Sequence, residues 1–401
     1  MRQWYRLCRP HVAFLVAMAG SVWYRTELFR AWTIPSSQGR AYGRRFLAAS
    51  AGSVLANAAW GEESVDTSRF QKLNRVQQEM ALARGFLDVG RSDKYKLFNT
   101  ETRAALEAGS WSSVAHEVVS ALPMQGVLCV GEEHGRPLHH AAELKILQAL
   151  RASTPPTTPL ALGMEMFVQN AAHIRALDDF AKNMSSLAEL YVRTNWAKTW
   201  GYPIDYYADI LNYARTNGIT IVPLNAPRKM TLLTKMFGIQ LVNGPGVPEV
   251  DISNTKHRQY FMNNFFKRSA MTELPADLRQ RQYEAQTLRE EFMAQTAFDH
   301  VKEVGGRLMV ISGRAHVAGR FGIPDRIHRR LGKYGFSEPT IVLLDSVVDQ
   351  QRDQPLDSIS ALKVESSLSI PPSEWLPGKE HADWMVFTDA NNIVWPKSVS
   401  A

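Results

Sequence analysis

From residue 120 to residue 345 the chain alternates short, unbroken apolar runs with longer stretches whose apolar residues recur every three to four positions. A short apolar run closed by turn residues is too brief for a helix, and without polar alternation it must be buried on both faces. Such runs separated by helices are βαβ units. They predict an α/β fold with a mostly parallel central sheet flanked by helices. Strands are expected at 127–130, 160–164, 219–222, 307–311 and 340–344, with an added edge strand at 384–388. Helices are expected at 138–150, 170–190, 204–216, 228–237 and 324–330, and an inserted long helix at 278–304 is stopped by Gly305 and Gly306. No Gly/Ser-rich linker divides this stretch, so 120–345 reads as one domain. Residues 59–119 read as a helical lead-in, on the spacing of Phe70, Leu73, Val76, Met80 and Leu82. Residues 346–401 form a C-terminal extension, polar and irregular over 347–371.

The charge is unevenly placed. The formal net charge is +7, and residues 1–58 hold eight arginines, no lysine and one acid, Glu27, so the remainder is close to neutral. A basic protein raises the question of nucleic acid, but the excess here lies in a leader and not in the body, which argues against that partner. An Arg-rich, acid-poor N-terminus is the signature of an organelle transit peptide. Within it, Arg44 and Arg45 precede an apolar stretch through Leu55 and then Ala56-Asn57-Ala58, the layout of a twin-arginine export signal. The expectation is a chloroplast transit peptide followed by a thylakoid-transfer signal, cleaved before Ala59, with delivery to the thylakoid lumen. Plastid stroma or mitochondrion is the alternative if the arginine pair is incidental. The longest apolar run, at 12–24, falls short of the roughly 18–20 residues a bilayer span requires, so no transmembrane segment is expected in the mature protein. Of the two cysteines, Cys8 is in the leader and Cys129 in an apolar run; no internal disulfide is expected and Cys129 reads as buried.

Open parallel sheets bind ligands at the carboxyl ends of their strands. Read in that light, the first strand delivers Gly131-Glu132-Glu133-His134 and the second Glu165, with Met166 and Phe167. The third delivers Asn225-Ala226-Pro227-Arg228 and the fourth Gly313-Arg314-Ala315-His316. Alternation along an extended loop lets Glu132 and His134 face one site. Imidazole with carboxylate suits a divalent transition metal, for which Glu132, His134 and His316 are the candidate ligands. Glu165 is placed to act as a general base, and Arg228 to grip an anionic group. Each of these residues alone has an ordinary structural reading; their convergence marks the site. His139, His173, His257, His300 and His328 lack that convergence and are expected to be structural or exposed. His140, close behind His134, is expected to reach the rim.

Two Gly-x-x-His motifs, at 131–134 and 313–316, flank GMEMF at 163–167, NWAKTWGYPIDYY at 195–207, VPLNAPR at 222–228 and AQTAFDHV at 294–301. In this order they resemble the ChaN-like haem-binding branch of the superfamily that contains Tiki and TraB proteins and erythromycin esterases. The resemblance spans roughly 120–345. It implies an EreA/ChaN-like α/β fold whose rim, in hydrolytic relatives, uses positions matching Glu132, His134, Glu165, Arg228 and His316. It also implies haem in an apolar pocket able to pair two subunits as a homodimer. Cofactor-binding candidates are then His134, His140, Tyr202, Tyr206, Tyr207, Arg228 and His316, with Trp196 and Trp200 as aromatic surface. Core packing is the plain reading of that aromatic run. Two functions follow: a haem- or tetrapyrrole-binding protein, or a metal-dependent hydrolase, an esterase or peptidase, using the same rim.

Overall fold

Side chains on β-strands alternate between faces, and here that alternation divides one sheet between two cores. The computed structural model describes residues 95–102, 104–106, 111–120, 122–242, 244–266, 274–346 and 379–388. The leader at 1–58, the helical spacing at 70–82 and the tail at 347–371 lie outside these residues. The strands are β1 (Tyr95–Asn99), β2 (Ala104–Leu106), β3 (Gly126–Glu132), β4 (Leu160–Val168), β5 (Thr220–Asn225), β6 (Arg307–Gly313), β7 (Thr340–Ser346) and β8 (Trp384–Thr388). They form one sheet in the order β2-β1-β8-β7-β3-β6-β4-β5. All neighbours from β8 to β5 run parallel, whereas β1 is antiparallel to both β8 and β2.

The longer helices are α1 (Trp111–Ser120), α2 (Pro137–Ser153), α3 (Ala171–Ala181), α4 (Leu187–Arg193), α5 (Trp196–Thr199), α6 (Ala208–Thr216), α7 (Arg228–Phe237), α8 (Thr255–Phe261), α9 (Ala276–Glu303) and α10 (Ile323–Leu331). One core joins Leu128, Val130, Leu162, Met309 and Ile311 to α2, α3 and α6 through Ile146, Phe180 and Leu211. The other joins Val127, Cys129, Leu308 and Val310 to α9 and α10 through Met293, Phe298 and Ile327. Covered on both faces, β3, β4 and β6 are buried along their whole length, which is why they read as unbroken apolar runs. Cys129 is fully buried, and burial pushes its thiol far up from its ordinary range. No helix among the described residues is long and apolar enough to cross a membrane.

Three expectations change. Residues 95–99 and 104–106, expected as part of a helical lead-in, are strands. β2 pairs with β1, and β1 pairs with β8, joining Leu97 to Val386 far along the chain, so tertiary pairing overrides a weak local pattern. For the same reason β8 lies between β1 and β7 and not at the sheet edge. The helix expected at 170–190 is two, α3 and α4. Asn183 takes a positive φ of 58° between them, and Ser186 with Glu189 starts α4 with a reciprocal capping box.

Candidate functional site

The site forms where β3, β6 and β4, adjacent in the sheet, end together. Glu132 is the last residue of β3 and lies opposite Gly313, the last of β6. Its carboxylate is buried. Oε1 accepts from His134 Nδ1 at 2.6 Å and from the Tyr207 hydroxyl at 2.6 Å. Oε2 lies 2.9 Å from His140 Nδ1, in the first turn of α2. His140 Nδ1 is also 3.3 Å from Glu143 Oε2, one turn further on, and its Nε2 is 3.1 Å from the His134 carbonyl. His139 shapes the loop differently: its Nδ1 accepts the Glu133 amide at 3.0 Å.

Charge in this pocket follows from burial and proximity. Burial alone would raise the Glu132 pKa, but the His140 and His134 imidazoles hold it well below the usual carboxylate range. Burial and the Glu132 charge push Glu143 well above it. Burial opposes charge on His140, yet Glu132 and Glu143 outweigh it and raise the imidazole to about 10. Burial and Glu132 likewise keep the Tyr207 phenol protonated, as donation to Glu132 requires.

Glu165 organises the second half. It is buried inside β4, which runs on to Val168, so it is a strand residue and does not lie on a following loop. Its Oε2 accepts the Gly313 amide at 2.7 Å, while Oε1 is paired with Arg289 and lies 3.3 Å from His316 Nε2. His316 sits on a 3-10 turn directly after β6, with Nδ1 3.1 Å from Glu290 Oε1. The other Glu290 oxygen lies 3.3 Å from His257 Nε2 and 3.5 Å from Arg326. Burial opposes the charged form of Glu165, but His316 and Arg289 bring its pKa far below normal; His257 and Arg326 do the same for Glu290. Burial lowers and the Glu165 carboxylate more than restores the basicity of His316, a net rise.

The halves meet over a glycine. A Cβ on Gly313 would stand 2.9 Å from His134 Cε1 and 3.7 Å from Glu165 Oε2. A Cβ on Gly131 would stand 2.8 Å from Leu343 and 3.0 Å from the Arg314 backbone. Neither glycine has a positive φ; both are required because neighbours fill the space of a side chain.

Aromatic rings close the outer side. Trp200 meets the His134 ring edge-on at 4.6 Å and Tyr202 lies 5.4 Å from it. Tyr206 stacks on His140 at 5.2 Å, and Trp196 packs between Phe167 and Tyr207. The His134 side chain keeps 24% of its surface exposed and Tyr202 is half-buried, whereas Tyr206 and Tyr207 are buried. The aromatic run is thus partly core and partly mouth.

The structure brings together Glu132, His134, His140 and Tyr207, and beside them Glu165 with His316. It does not bring in Arg228, which is exposed at the start of α7 and donates to the Lys198 carbonyl at 2.8 Å. The cation against Glu165 is Arg289 of α9, aligned by Asn225 Oδ1 at 3.1 Å. Arg314 is turned outward to Asp345 at 3.0 Å. Of the expected metal set Glu132, His134 and His316, His316 has both nitrogens facing carboxylates, Glu290 and Glu165. Among the described residues the group whose donor atoms all lie within 4.8 Å is Glu132, His140 and Glu143. Residues missed from the sequence are Glu143, His257, Arg289 and Glu290. Their signal was present only as polar residues on helices, which normally means a solvated face.

A family model described as haem-binding uptake, Tiki superfamily, ChaN matches residues 118–327. Among solved structures, one described as cofacial haem binding to ChaN of Campylobacter jejuni is similar at 17% identity and TM-score 0.50, covering 73% of this chain and 96% of that one. The type III effector HopBA1 aligns at 10% identity and TM-score 0.35, over 72% of this chain and 96% of that one. A MARTX toxin effector domain, RRSP of Vibrio vulnificus, aligns at 16% and TM-score 0.31, over 56% and 35% respectively. No curated protein matches the chain significantly.

Proposed function

The chain belongs to the haem-binding, ChaN-type family of the Tiki superfamily, and from that membership we propose that it binds haem or a related tetrapyrrole through His134. The observation that carries the proposal is the state of that one side chain. His134 has Nδ1 fixed by Glu132 at 2.6 Å, keeps 24% of its surface exposed, and is bordered by Trp200 and Tyr202. An imidazole oriented by a carboxylate, at the mouth of an aromatic wall, meets what haem requires of a protein ligand. Tyr207 does not fit as a donor to iron, because its hydroxyl is buried and committed to Glu132. Tyr202 is the other donor at the mouth. Bound there, the group would supply a redox-active iron.

The test is a haemin titration of the full chain followed by absorption. A saturable, shifted Soret band is expected, strongly weakened in His134→Ala and little changed in Tyr207→Phe. A spectrum like that of haemin with an inert protein overturns the proposal.

A second reading is favoured by one observation: two imidazoles, each pinned by a carboxylate, flank Glu165, with the His134 ring beside it over Gly313 and His316 Nε2 3.3 Å from it. That arrangement suits proton transfer to and from a water attacking an ester or amide. Activity on an ester panel, lost in His316→Ala with the fold retained, supports it; inactivity across the panel counts against it. The homodimer and the thylakoid-lumen location belong to the same proposal. The location is supported by the Arg-rich leader and the Arg44-Arg45 pair, and a mature N-terminus at Ala59 by mass spectrometry is the expected outcome.

A further inference from the structure

Behind His134, away from the mouth, three buried side chains form a cluster, of which the readings of the rim use only Glu132. Glu132, His140 and Glu143 are each at most 4% exposed. Glu132 and His140 come from opposite ends of the loop after β3, and Glu143 follows one turn along α2. Two buried carboxylates this close need a shared cation or a shared proton; without an ion the His140 imidazole between them carries it, and an ion bound at Nδ1 takes the place of that proton. No Lys or Arg among the described residues pairs with either of them.

Hydrogen bonding leaves the pocket incomplete. Glu143 Oε1 and Glu132 Oε2 are fully buried and make no hydrogen bond among the described residues. Glu132 Oε2 lies 2.9 Å from His140 Nδ1, but not in hydrogen-bond alignment, and the contact from Nδ1 to Glu143 is a long 3.3 Å. The outer contacts are in contrast well made. Glu132 Oε1 accepts from His134 and Tyr207, and His140 Nε2 meets the His134 carbonyl at 3.1 Å. An imidazole held by a backbone carbonyl on one nitrogen, with the other facing carboxylates, is the arrangement found around metal-binding histidines.

We propose that Glu132, His140 and Glu143 bind a divalent transition-metal ion through Glu132 Oε2, His140 Nδ1 and a Glu143 oxygen. One donor atom from each of the three residues already lies within 4.8 Å of the other two. One imidazole with two carboxylates is a donor set for ions such as Zn²⁺, Co²⁺ or Mn²⁺, and two carboxylates balance the divalent charge. Glu132 then links the two sites, holding the ion through one oxygen and orienting His134 through the other. The ion is distinct from any iron at His134, and its detection does not depend on haem.

The experiment uses the full chain expressed with Co²⁺ or Zn²⁺ in the medium, because the pocket is closed to solvent. Metal analysis is expected to find one ion per chain, with Co²⁺ giving visible d–d absorption. In Glu143→Gln and His140→Gln, with the fold checked by circular dichroism, affinity is expected to fall at least about 10-fold. Wild-type protein without stoichiometric metal overturns the proposal and leaves His140 as the cation shared by the two carboxylates. Metal kept by both folded variants overturns it too, as does metal lost in His316→Ala but not in them. If the variants do not fold, anomalous scattering from a cobalt-loaded crystal decides: a peak between the three side chains supports the site, and a peak elsewhere or none refutes it.

Discussion

An added methyl at Gly313 would stand 2.9 Å from His134 Cε1 and 3.0 Å from Nε2, with the strand ladder fixing the backbone beneath it. Gly313→Ala must therefore displace the ring or strain the strand end, at a cost of about 1–3 kcal/mol. The account predicts a folded protein whose haem affinity falls by about tenfold or more, since a shift of that kind disturbs a ligand oriented by its carboxylate. Unchanged haem affinity would place the cofactor elsewhere. At this scale the sequence revealed what lies at strand ends: Glu132, His134, Glu165 and His316 stand next to apolar runs that set their direction. It did not reveal Arg289 or Glu290, because their 28-residue helix carries charged residues at ordinary spacing, and only the packing around that helix buries Glu290 and sets Arg289 against Glu165. Arg228 was misplaced for the complementary reason. Its position at the end of a strand is real, but the side chain turns to the Lys198 carbonyl.

Elements show the same division between local and distant causes. The five parallel strands at the centre were legible since each is apolar on both faces; β1, and β2 paired to it, were not, since the partner of β1 in the sheet, β8, lies far along the chain. That dependence has a consequence for truncation. Removing residues 379–401 deletes β8, whose Trp384, Met385, Val386 and Phe387 are all buried between β1 and β7. At about 1.5–3 kcal/mol for each side chain, the loss rivals the whole stability of a typical domain, so the 1–378 chain is expected to lose cooperative melting. A native-like melting transition would contradict the placement of β8. The start of α3 makes a pH prediction. His173 Nδ1 accepts the Val168 amide at 3.0 Å, which requires a neutral ring, and burial pulls its pKa down from 6.5 to about 4. Because the folded value is the lower, the contribution is full above 6.5 and is lost as pH falls from there towards 4. Each unit in that window removes about 1.4 kcal/mol, and His173→Gln is expected to flatten the stability–pH slope by one proton. Urea denaturation across the window measures it; an unchanged slope contradicts it.

For the whole molecule, a parallel sheet covered on both faces confines polar chemistry to the strand ends, and here three adjacent strands concentrate it at one rim. The family's motifs map onto that rim as glycines that make room, carboxylates that orient, and imidazoles held by them. The central claim is that His134 ligates a tetrapyrrole, and replacing its side chain by a cavity tests it most directly. His134→Gly would be titrated with haemin, with and without free imidazole, and the Soret band compared with wild type. The account predicts that the band is lost in the variant and restored to the wild-type position by imidazole. A variant that binds haemin like wild type without imidazole would contradict it.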